Sequence, residues 1–420
     1  MLMRRTKLKD WYEFIKASCP VCGHSGGCMQ YKDGKKVACI RVESEKAFSK
    51  GKGLDSYLHY INGYSPVNQK EEEYKTHEKL NSQALNFVYS KLLNLLSLSD
   101  KHLNHLMTTR HLTIDDIIAR EYKTFPEKPW VVTRQLMKEL GLKNLKGIPG
   151  FYLHESNNGT YWNLSGIRGS LMIPYRNEKN EIVGFQTRVD QPENEAHLKG
   201  STNGLRAIVK TQPALVQVSY EGEIIIEEEF ELDVPKPIIF DKKYLGNIVL
   251  KKGNRYFWLS SANKREGTSC GNPPPIHVSR PSYLMGKEQE HTATYKAETI
   301  WITEGALKGD IACSFLQKFY NASDGLGETF VSLPGVNSWA LIKPLLREME
   351  VKKVIIAIDS DASTNNYVKK HLLELIAYLE ETNIKTIYGI WSMNTKDGTS
   401  TKGIDDLFIN GYRPMLKPLF

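Results

Sequence analysis

The sequence predicts a multidomain α+β protein, and three features of the chain predict it. Four of its six cysteines lie between Cys19 and Cys39, among glycine-rich turns. Residues 81–145 carry apolar residues at helical spacing. Residues 291–420 follow the order β-α-β-α-β-α-β, which is typical of a parallel sheet covered by helices. With 420 residues, 40% of them hydrophobic, the chain is long enough for two or three cored domains.

Five regions follow from composition and hydrophobic pattern. They are a cysteine-bearing module (1–62), a polar linker (63–80), a helical region (81–145), a mixed α/β region (146–290) and a C-terminal α/β domain (291–420). In the helical region the predicted core residues are Leu92, Leu93, Leu95, Leu96, Ile114, Ile117 and Ile118, with Thr113 as a helix N-cap. The clearest predicted strands are GSLMIPYR, EIVGFQTRVD and RYFWLSS. The acidic residues 221–233 predict an exposed strand pair in an insertion.

Most of the net charge lies at the N-terminus. The chain carries +8, and residues 1–53 hold twelve Lys/Arg against five Asp/Glu, which is +7. A basic module on a neutral body indicates an anionic partner, usually nucleic acid, and a solvated basic tail is the alternative. No stretch approaches the roughly 18 apolar residues of a membrane helix, and no apolar run follows the basic start as in a secretory signal. We therefore expect a cytoplasmic protein without a membrane partner.

The cysteine spacing predicts a structural zinc site. Cys19 and Cys22 share a tight CxxC turn, and Cys28 and Cys39 supply two further thiolates. Four thiolates close a tetrahedral Zn²⁺ site and leave no open position for catalysis. His24 is an alternative ligand, although its closeness to Cys22 favours Cys28.

Basic and aromatic residues accompany these cysteines. They are Tyr31, Lys32, Lys35, Lys36 and Arg41. This combination suits single-stranded DNA, through phosphate contacts and base stacking. The alternative is a module with a purely structural role.

Acidic residues follow two apolar strands of the C-terminal region. Glu304 ends one predicted strand, and Asp359 and Asp361 end another. Function collects at the carboxyl ends of parallel strands, and Mg²⁺ is held there by one or two carboxylates together with substrate phosphates. Glu304 could complete this metal site or move a proton, and Asp405 is a further candidate ligand. The alternatives are a helix N-cap at Asp361 and a C-terminal helix cap at Asp405.

These motifs resemble a known family. The Glu304-Gly305 and Asp359-Ser360-Asp361 residues resemble the TOPRIM domain of DnaG-type primases, topoisomerases and some nucleases. The string CPVCG…C…CIRVES resembles the zinc ribbon of primase-like proteins from phages and mobile elements, and GSLMIPYRNEKNEIVGFQTRVD is similar to the strands before TOPRIM in DnaG-type primases. RHLTIDDIIAREY, YFWLSSANKREGTSCGNPPPIHVSRP and SLPGVNSW resemble blocks of the mobile-element branch. The implied fold is a zinc ribbon, a helical and mixed α/β middle region, and a C-terminal TOPRIM domain with a mainly parallel sheet.

The resemblance also implies roles for individual residues. Glu304 would be the general acid/base, and Asp359 and Asp361 would bind Mg²⁺ or Mn²⁺. Arg176 and Arg188 would contact the template or nucleotide phosphates, with surface solubility as the alternative, and Lys308 is a further candidate cofactor-binding residue. Two positions depart from the family: Lys308 stands where DnaG-type primases usually have an aspartate, with an acid following only at Asp310, and Gly403 stands where an acid is common.

The resulting hypothesis is a primase. It would make short RNA primers on single-stranded DNA from nucleotides, in the replication of a phage, plasmid or other mobile element. The sequence contains no GxxxxGK[ST] motif, so a replicative helicase would be a separate protein. The alternatives are a TOPRIM metal-dependent nuclease and a non-catalytic DNA-binding replication factor, and a topoisomerase is least favoured.

Overall fold

The structure is a computed structural model that describes residues 3–6, 8–15, 17–49, 55–61, 76–156, 159–200, 204–211, 215–285, 294–360 and 366–419. Asp361 and residues 63–75 of the predicted linker lie outside these described residues. None of the helices in the described ranges is both long and apolar enough to cross a bilayer.

The first half of the chain begins with short strands and continues with helices. The strands are β1 (Met3–Arg5), β2 (Trp11–Phe14), β3 (Met29–Tyr31), β4 (Lys36–Cys39), β5 (Ala47–Ser49) and β6 (Ser56–Tyr60). The helices are α1 (Ser82–Asn94), α2 (Asp100–Asn104), α3 (Ile114–Arg120) and α4 (Pro129–Leu140), with a π-helical turn at His105–Thr109 and strand β7 (Lys123–Thr124) before α4. Four strands follow: β8 (Phe151–Ser156), β9 (Gly159–Leu164), β10 (Leu171–Arg176) and β11 (Ile182–Arg188).

The next strands are β12 (Asn194–Lys199), β13 (Leu205–Thr211), β14 (Leu215–Tyr220), β15 (Glu223–Glu229), β16 (Lys236–Phe240), β17 (Lys243–Lys252), β18 (Tyr256–Trp258) and β19 (His277–Ser279). The C-terminal part contains α5 (Ser282–Met285), β20 (Thr299–Glu304), α6 (Ala306–Phe315), β21 (Thr329–Leu333), α7 (Ile342–Glu348), β22 (Lys353–Ile356), α8 (Asn366–Glu381), β23 (Lys385–Ile390), α9 (Ile404–Ile409) and β24 (Met415–Pro418). Short 3-10 turns lie at Leu316–Lys318, Ala322–Asp324 and Val336–Leu341.

The chain divides into two compact units. Unit 1 combines Met1–Glu73 with Asp190–Arg255, and unit 2 combines Tyr74–Val189 with Tyr256–Phe420. The region 146–290, which the sequence analysis treated as one domain, is therefore divided between the two units. The physical reason lies in the core of unit 1, because the N-terminal strands have few large apolar residues and share a core with the later ones.

The described residues of unit 1 form three antiparallel sheets. Their strand orders are β1-β2-β3-β4-β6-β5, β12-β17-β16 and β13-β14-β15. The shared core joins Phe14, Val21 and Val37 to residues of the later segment, among them Leu198, Val216, Phe230, Ile248 and Leu250. The acidic strand β15 lies at an edge and pairs with β14, and most of its side chains are exposed, as its composition predicts.

The first part of unit 2 packs helices against the sheet β18-β11-β10-β7. Leu92 and Leu93 of α1 and Leu96 just after it are buried in this core as predicted, whereas Leu95 is only partly buried. Thr113 caps α3 through a capping box with Asp116, as predicted. The prediction that Ile114 and Ile118 are core residues is wrong, because their exposed fractions are 46% and 66%. The inward face of α3 is taken by Asp116, Ile117 and Arg120 instead.

The C-terminal sheet of unit 2 has the order β19-β21-β20-β22-β23-β24. The pairs β21-β20, β20-β22 and β22-β23 are parallel, and both edge pairs are antiparallel. The sheet is therefore mixed, with a parallel centre. Its central strands read as apolar runs because helices and loops bury side chains such as Ile300, Ile302, Val354 and Ile356.

A buried ionic network holds α6 in place. Asp310 is 3% exposed. It accepts hydrogen bonds from the Tyr122 hydroxyl at 2.7 Å and from Nε2 of His277 at 3.0 Å. The Nε atom of Arg120 lies 3.4 Å from the same carboxylate, and its Nη2 donates to the Asp310 carbonyl oxygen at 2.9 Å. Burial acts to raise the pKa of Asp310, but His277 and Arg120 outweigh it and hold this pKa well below its ordinary value.

We expect Asp310→Asn to lower the free energy of unfolding of unit 2 by about 3–5 kcal/mol, because it leaves Arg120 buried without its partner charge. Because the pKa of Asp310 is lowered by folding, its ionised carboxylate stabilises the fold at pH values above the ordinary carboxyl pKa. This stabilisation is lost as the pH falls toward the lowered pKa. Denaturant unfolding at neutral and acidic pH should therefore show a smaller acid-induced loss for the variant than for the wild type. The exposed Asp100→Asn is the control, and equal effects of the two substitutions would contradict the network's role.

Candidate functional site

Four thiols converge in unit 1. Cys19 and Cys22 lie on the turn between β2 and β3, Cys28 precedes β3, and Cys39 ends β4. All four are buried, and their ligand atoms lie within 4.8 Å of one another. The Sγ atom of Cys28 is 3.7 Å from the Sγ atoms of both Cys22 and Cys39. The set suits a tetrahedral structural zinc ion, as the sequence predicts.

The thiols are in an environment that favours a metal ion. Burial raises the pKa of Cys19 and Cys39 well above its ordinary value, so without a cation these groups stay protonated. Hydrogen bonds from Cys19 and Cys28 hold the pKa of Cys22 below its ordinary value. A bound metal ion would stabilise all four thiolates. His24 takes no ligand position in this group, and its carbonyl oxygen accepts the backbone N–H of Cys19 at 2.9 Å.

Arg41 lies against the thiols rather than on the surface. It is 8% exposed, so the prediction that it faces DNA is wrong. Its Nε and Nη2 donate to the Glu195 carboxylate at 2.6 and 2.9 Å, and its Nη1 lies 3.6 Å from Sγ of Cys28. Glu195 is 154 residues away along the chain. No local spacing could have indicated this pair, which fixes a positive charge beside the thiolates.

An aromatic and basic surface lies on the same unit. The ring of Trp11 is 5.4 Å from that of Tyr31 and 4.6 Å from that of Phe48, and Nζ of Lys36 lies 5.1 Å from the centre of the Tyr31 ring. These four side chains are half-buried. Lys32 and Lys35, on the turn between β3 and β4, are exposed beside them. Rings with neighbouring cations can stack bases and contact phosphates.

In unit 2, the candidate carboxylates lie at the carboxyl ends of neighbouring parallel strands. Glu304 is the last residue of β20, and Asp359 follows β22. Oε1 of Glu304 accepts the backbone N–H of Val336 at 2.8 Å, which orients this carboxylate. Gly305, with φ of 80°, makes the turn from the strand into α6. Asp361, the third predicted carboxylate, lies outside the described residues.

Lys308 contacts Asp359 directly. Its Nζ lies 2.5 and 2.6 Å from the two carboxylate oxygens, and Nζ of Lys402 lies 3.9 Å from one of them. Burial acts to lower the pKa of Lys308, but the charges of Asp359, Asp405 and Glu304 outweigh it and raise this pKa. The ammonium group is therefore held in its charged form among carboxylates.

Asp405 lies in the first turn of α9 and is 2% exposed. Burial and the neighbouring Asp406 raise its pKa to about 6, against the opposing charges of Lys308 and Arg110. Nη1 of Arg110 lies 3.4 Å from Oδ2 of Asp405, a contact across the fold that the sequence reasoning missed. The other oxygen, Oδ1, is buried and has no hydrogen-bond partner among the described residues.

The two arginines of the middle strands are buried. Arg176, at the end of β10, is 6% exposed, pairs with Glu121 and donates to the carbonyl oxygen of Asn180 at 3.0 Å. Arg188, at the end of β11, is 4% exposed. Their contact with a template or nucleotide stays a prediction.

Comparison with known proteins adds likenesses in structure only. No protein-family model matches the sequence. No curated protein matches it either. The chain is similar to the zinc-binding and RNA polymerase domains of the Aquifex aeolicus primase, with 10% identity and a TM-score of 0.42 over 98% of this chain and 78% of that one. It is also similar to a DNA primase domain from Pseudomonas aeruginosa, with 12% identity and a TM-score of 0.40 over 80% of each chain. A third similar structure is a DnaG primase catalytic domain bound to ssDNA, with 11% identity and a TM-score of 0.39 over 79% of this chain and 80% of that one. Because these TM-scores lie below 0.5, the case for a function rests on the side chains of this chain.

We expect the purified protein to hold about one zinc ion per chain at the four thiols. Cys39→Ser should release this ion and lower the melting temperature of unit 1, because the thiolates lie within its core. Metal analysis and thermal unfolding measure the two effects. Cys270→Ser, at a buried cysteine of unit 2, is the matched control, and full zinc content in Cys39→Ser would contradict the assignment.

Proposed function

We propose that this protein is a DNA primase-like nucleotidyltransferase. It makes short RNA primers on single-stranded DNA by metal-dependent transfer of nucleotides, in the replication of a phage, plasmid or other mobile element. One observation carries the proposal: Glu304 and Asp359 lie at the carboxyl ends of adjacent parallel strands, in the same chain as a basic N-terminal segment with four converging thiols. The resemblance of the same motifs to TOPRIM and zinc-ribbon segments also supports it.

The carboxylates provide ligands that suit a hard divalent cation. Mg²⁺ and Mn²⁺ prefer carboxylate oxygens, and Oδ1 of Asp405 is a buried oxygen without a described partner. Asp359 and Asp405 would hold the ion, with Asp361 as a further ligand expected from the sequence. When bound, the ion stabilises the charge that develops on the transferred phosphoryl group.

Glu304 would act as the general acid/base. The N–H of Val336 orients its carboxylate, and its charge acts on Lys308, the residue that contacts Asp359. In nucleotidyl transfer, this carboxylate would accept the proton of the attacking 3′-hydroxyl.

Template binding is assigned to unit 1. The surface of Trp11, Tyr31, Phe48 and Lys36 offers stacking faces and a positive charge. Such surfaces bind single strands with little dependence on base sequence. Closed coordination by four thiolates would give the zinc ion of this unit a structural role. A separate helicase would supply the unwound template.

Primer synthesis tests the proposal. With single-stranded templates, nucleoside triphosphates and Mg²⁺, the wild type should make short oligoribonucleotides, and Glu304→Gln and Asp359→Asn should each lower the rate by about 100-fold or more. Glu298→Gln, just before the opposite end of the same strand, is the matched control and should keep full activity. Absence of oligoribonucleotides on a broad set of templates would refute the proposal. Metal-dependent loss of labelled DNA without nucleotides would instead identify a nuclease.

Tyr31→Ala should weaken binding of a single-stranded oligonucleotide by about 5- to 100-fold, the loss expected for one stacked base. Fluorescence anisotropy at fixed salt concentration measures this affinity. The matched control is Tyr244→Ala, at a tyrosine of the same unit that is 57% exposed. If Tyr31→Ala and Tyr244→Ala bind the oligonucleotide equally well, the template does not bind at the surface that contains Tyr31.

A further inference from the structure

Lys308 forms an ion pair with Asp359, the carboxylate that would bind a divalent ion. Its ammonium group donates to both oxygens of Asp359, at 2.5 and 2.6 Å. The Asp359 side chain is 11% exposed and that of Lys308 is 31% exposed, so water screens this ion pair only partly. The negative charge of Asp359 is thus compensated by the positive charge of a side chain of the same protein.

The backbone beneath Lys308 is fixed. On one side, Gly305 begins α6 at the end of β20. On the other side, Asp310 is held by Tyr122, His277 and Arg120. A Cβ atom at Gly309 would lie 2.1 Å from Oγ of Ser332, so α6 packs closely on β21. The backbone position of Lys308 is therefore set by the fold, and only its side chain, with the ammonium group at the end, can move.

A second carboxylate faces the same lysine. A Cβ atom at Gly403 would lie 2.4 Å from Oδ1 of Asp405 and 3.4 Å from Cδ and Cε of Lys308. Glycine at this position thus lets the Asp405 carboxylate and the lysine stem approach one another. The Oδ1 atom is buried and without a described hydrogen-bond partner, it borders Gly403 as the lysine stem does, and the charges of Asp405 and Lys308 act on each other. Lys308, Asp359 and Asp405 therefore form one charge cluster.

A divalent cation and this ammonium group compete for the cluster. The two positive charges repel at contact distance in a partly buried environment. They also compete for the same two oxygens of Asp359, because each oxygen already uses one lone pair to accept an N–H of Lys308. An ion gains the full charge of Asp359 only when the lysine withdraws.

We propose that Lys308 is a built-in cation that takes the place of one divalent ion at Asp359. The site consequently binds divalent ions more weakly than the same carboxylates would bind them without the lysine. This inference rests on the proposed metal-dependent function and adds to it a residue that limits metal binding. A charge that is tethered to the chain then takes the place of a diffusible ion.

Mn²⁺ binding to the full-length, zinc-loaded protein tests this inference. Bound Mn²⁺ is measured by electron paramagnetic resonance for the wild type, Lys308→Met and Lys308→Gln, with circular dichroism as a check of folding. Both variants should bind Mn²⁺ about tenfold more tightly or better, since one repelling charge is removed. Adding Asp359→Asn to Lys308→Met should abolish the gain. Lys353→Met is the matched control, because Nζ of Lys353 contacts the Gly325 carbonyl oxygen at the other end of the sheet, and it should leave the affinity unchanged.

The outcomes separate the inference from the function on which it rests. A wild type that binds Mn²⁺ at Asp359, with equal or weaker binding in both folded Lys308 variants, would overturn the inference and leave the proposed function standing. If neither the wild type nor the variants bind more Mn²⁺ than Asp359→Asn does, the metal-dependent function and the inference both fail.

Discussion

Buried negative charge is the constraint around which unit 2 is arranged. A carboxylate that leaves water is costly unless a cation or several hydrogen bonds compensate it. Asp310 is compensated by Arg120, His277 and Tyr122, and Asp359 by Lys308. Helix α6 carries both Lys308 and Asp310, so the interaction that anchors this helix also places the ammonium group at the strand ends.

The same constraint governs unit 1 in a different chemical form. Burial opposes the ionisation of Cys19 and Cys39, a cost that a bound cation would offset, and Arg41 adds a positive charge beside the thiols. Glu195 holds Arg41 and comes from a strand far along the chain. The later strands therefore contribute both the apolar core and the outer support of the thiol site. This dependence explains why residues 190–255 belong with the N-terminal strands.

Features that depend on local spacing could be predicted from the sequence. The four cysteines lie within one segment, and the Thr113 cap depends only on residues of its own helix. Apolar runs indicate the central strands β20 and β22, and Glu304 and Asp359 lie at the carboxyl ends of these strands. Contacts between distant segments could not be predicted. Arg110 reaches Asp405, and Arg41 turns inward to Glu195, through tertiary packing that no short pattern encodes. Ile114 and Ile118 followed a helical period, but buried polar contacts of Asp116 and Arg120 decide which face of α3 is inside.

We propose that the carboxylates of unit 2 serve the transfer of nucleotides and not the hydrolysis of DNA. Release of pyrophosphate tests it most directly, because each new phosphodiester bond made from a nucleoside triphosphate releases pyrophosphate, whereas hydrolysis of DNA releases none. Pyrophosphate release that requires single-stranded template and Mg²⁺, and that disappears in Asp359→Asn, is the predicted result. Release that is absent, or that is the same in Asp359→Asn as in the wild type, would contradict the account.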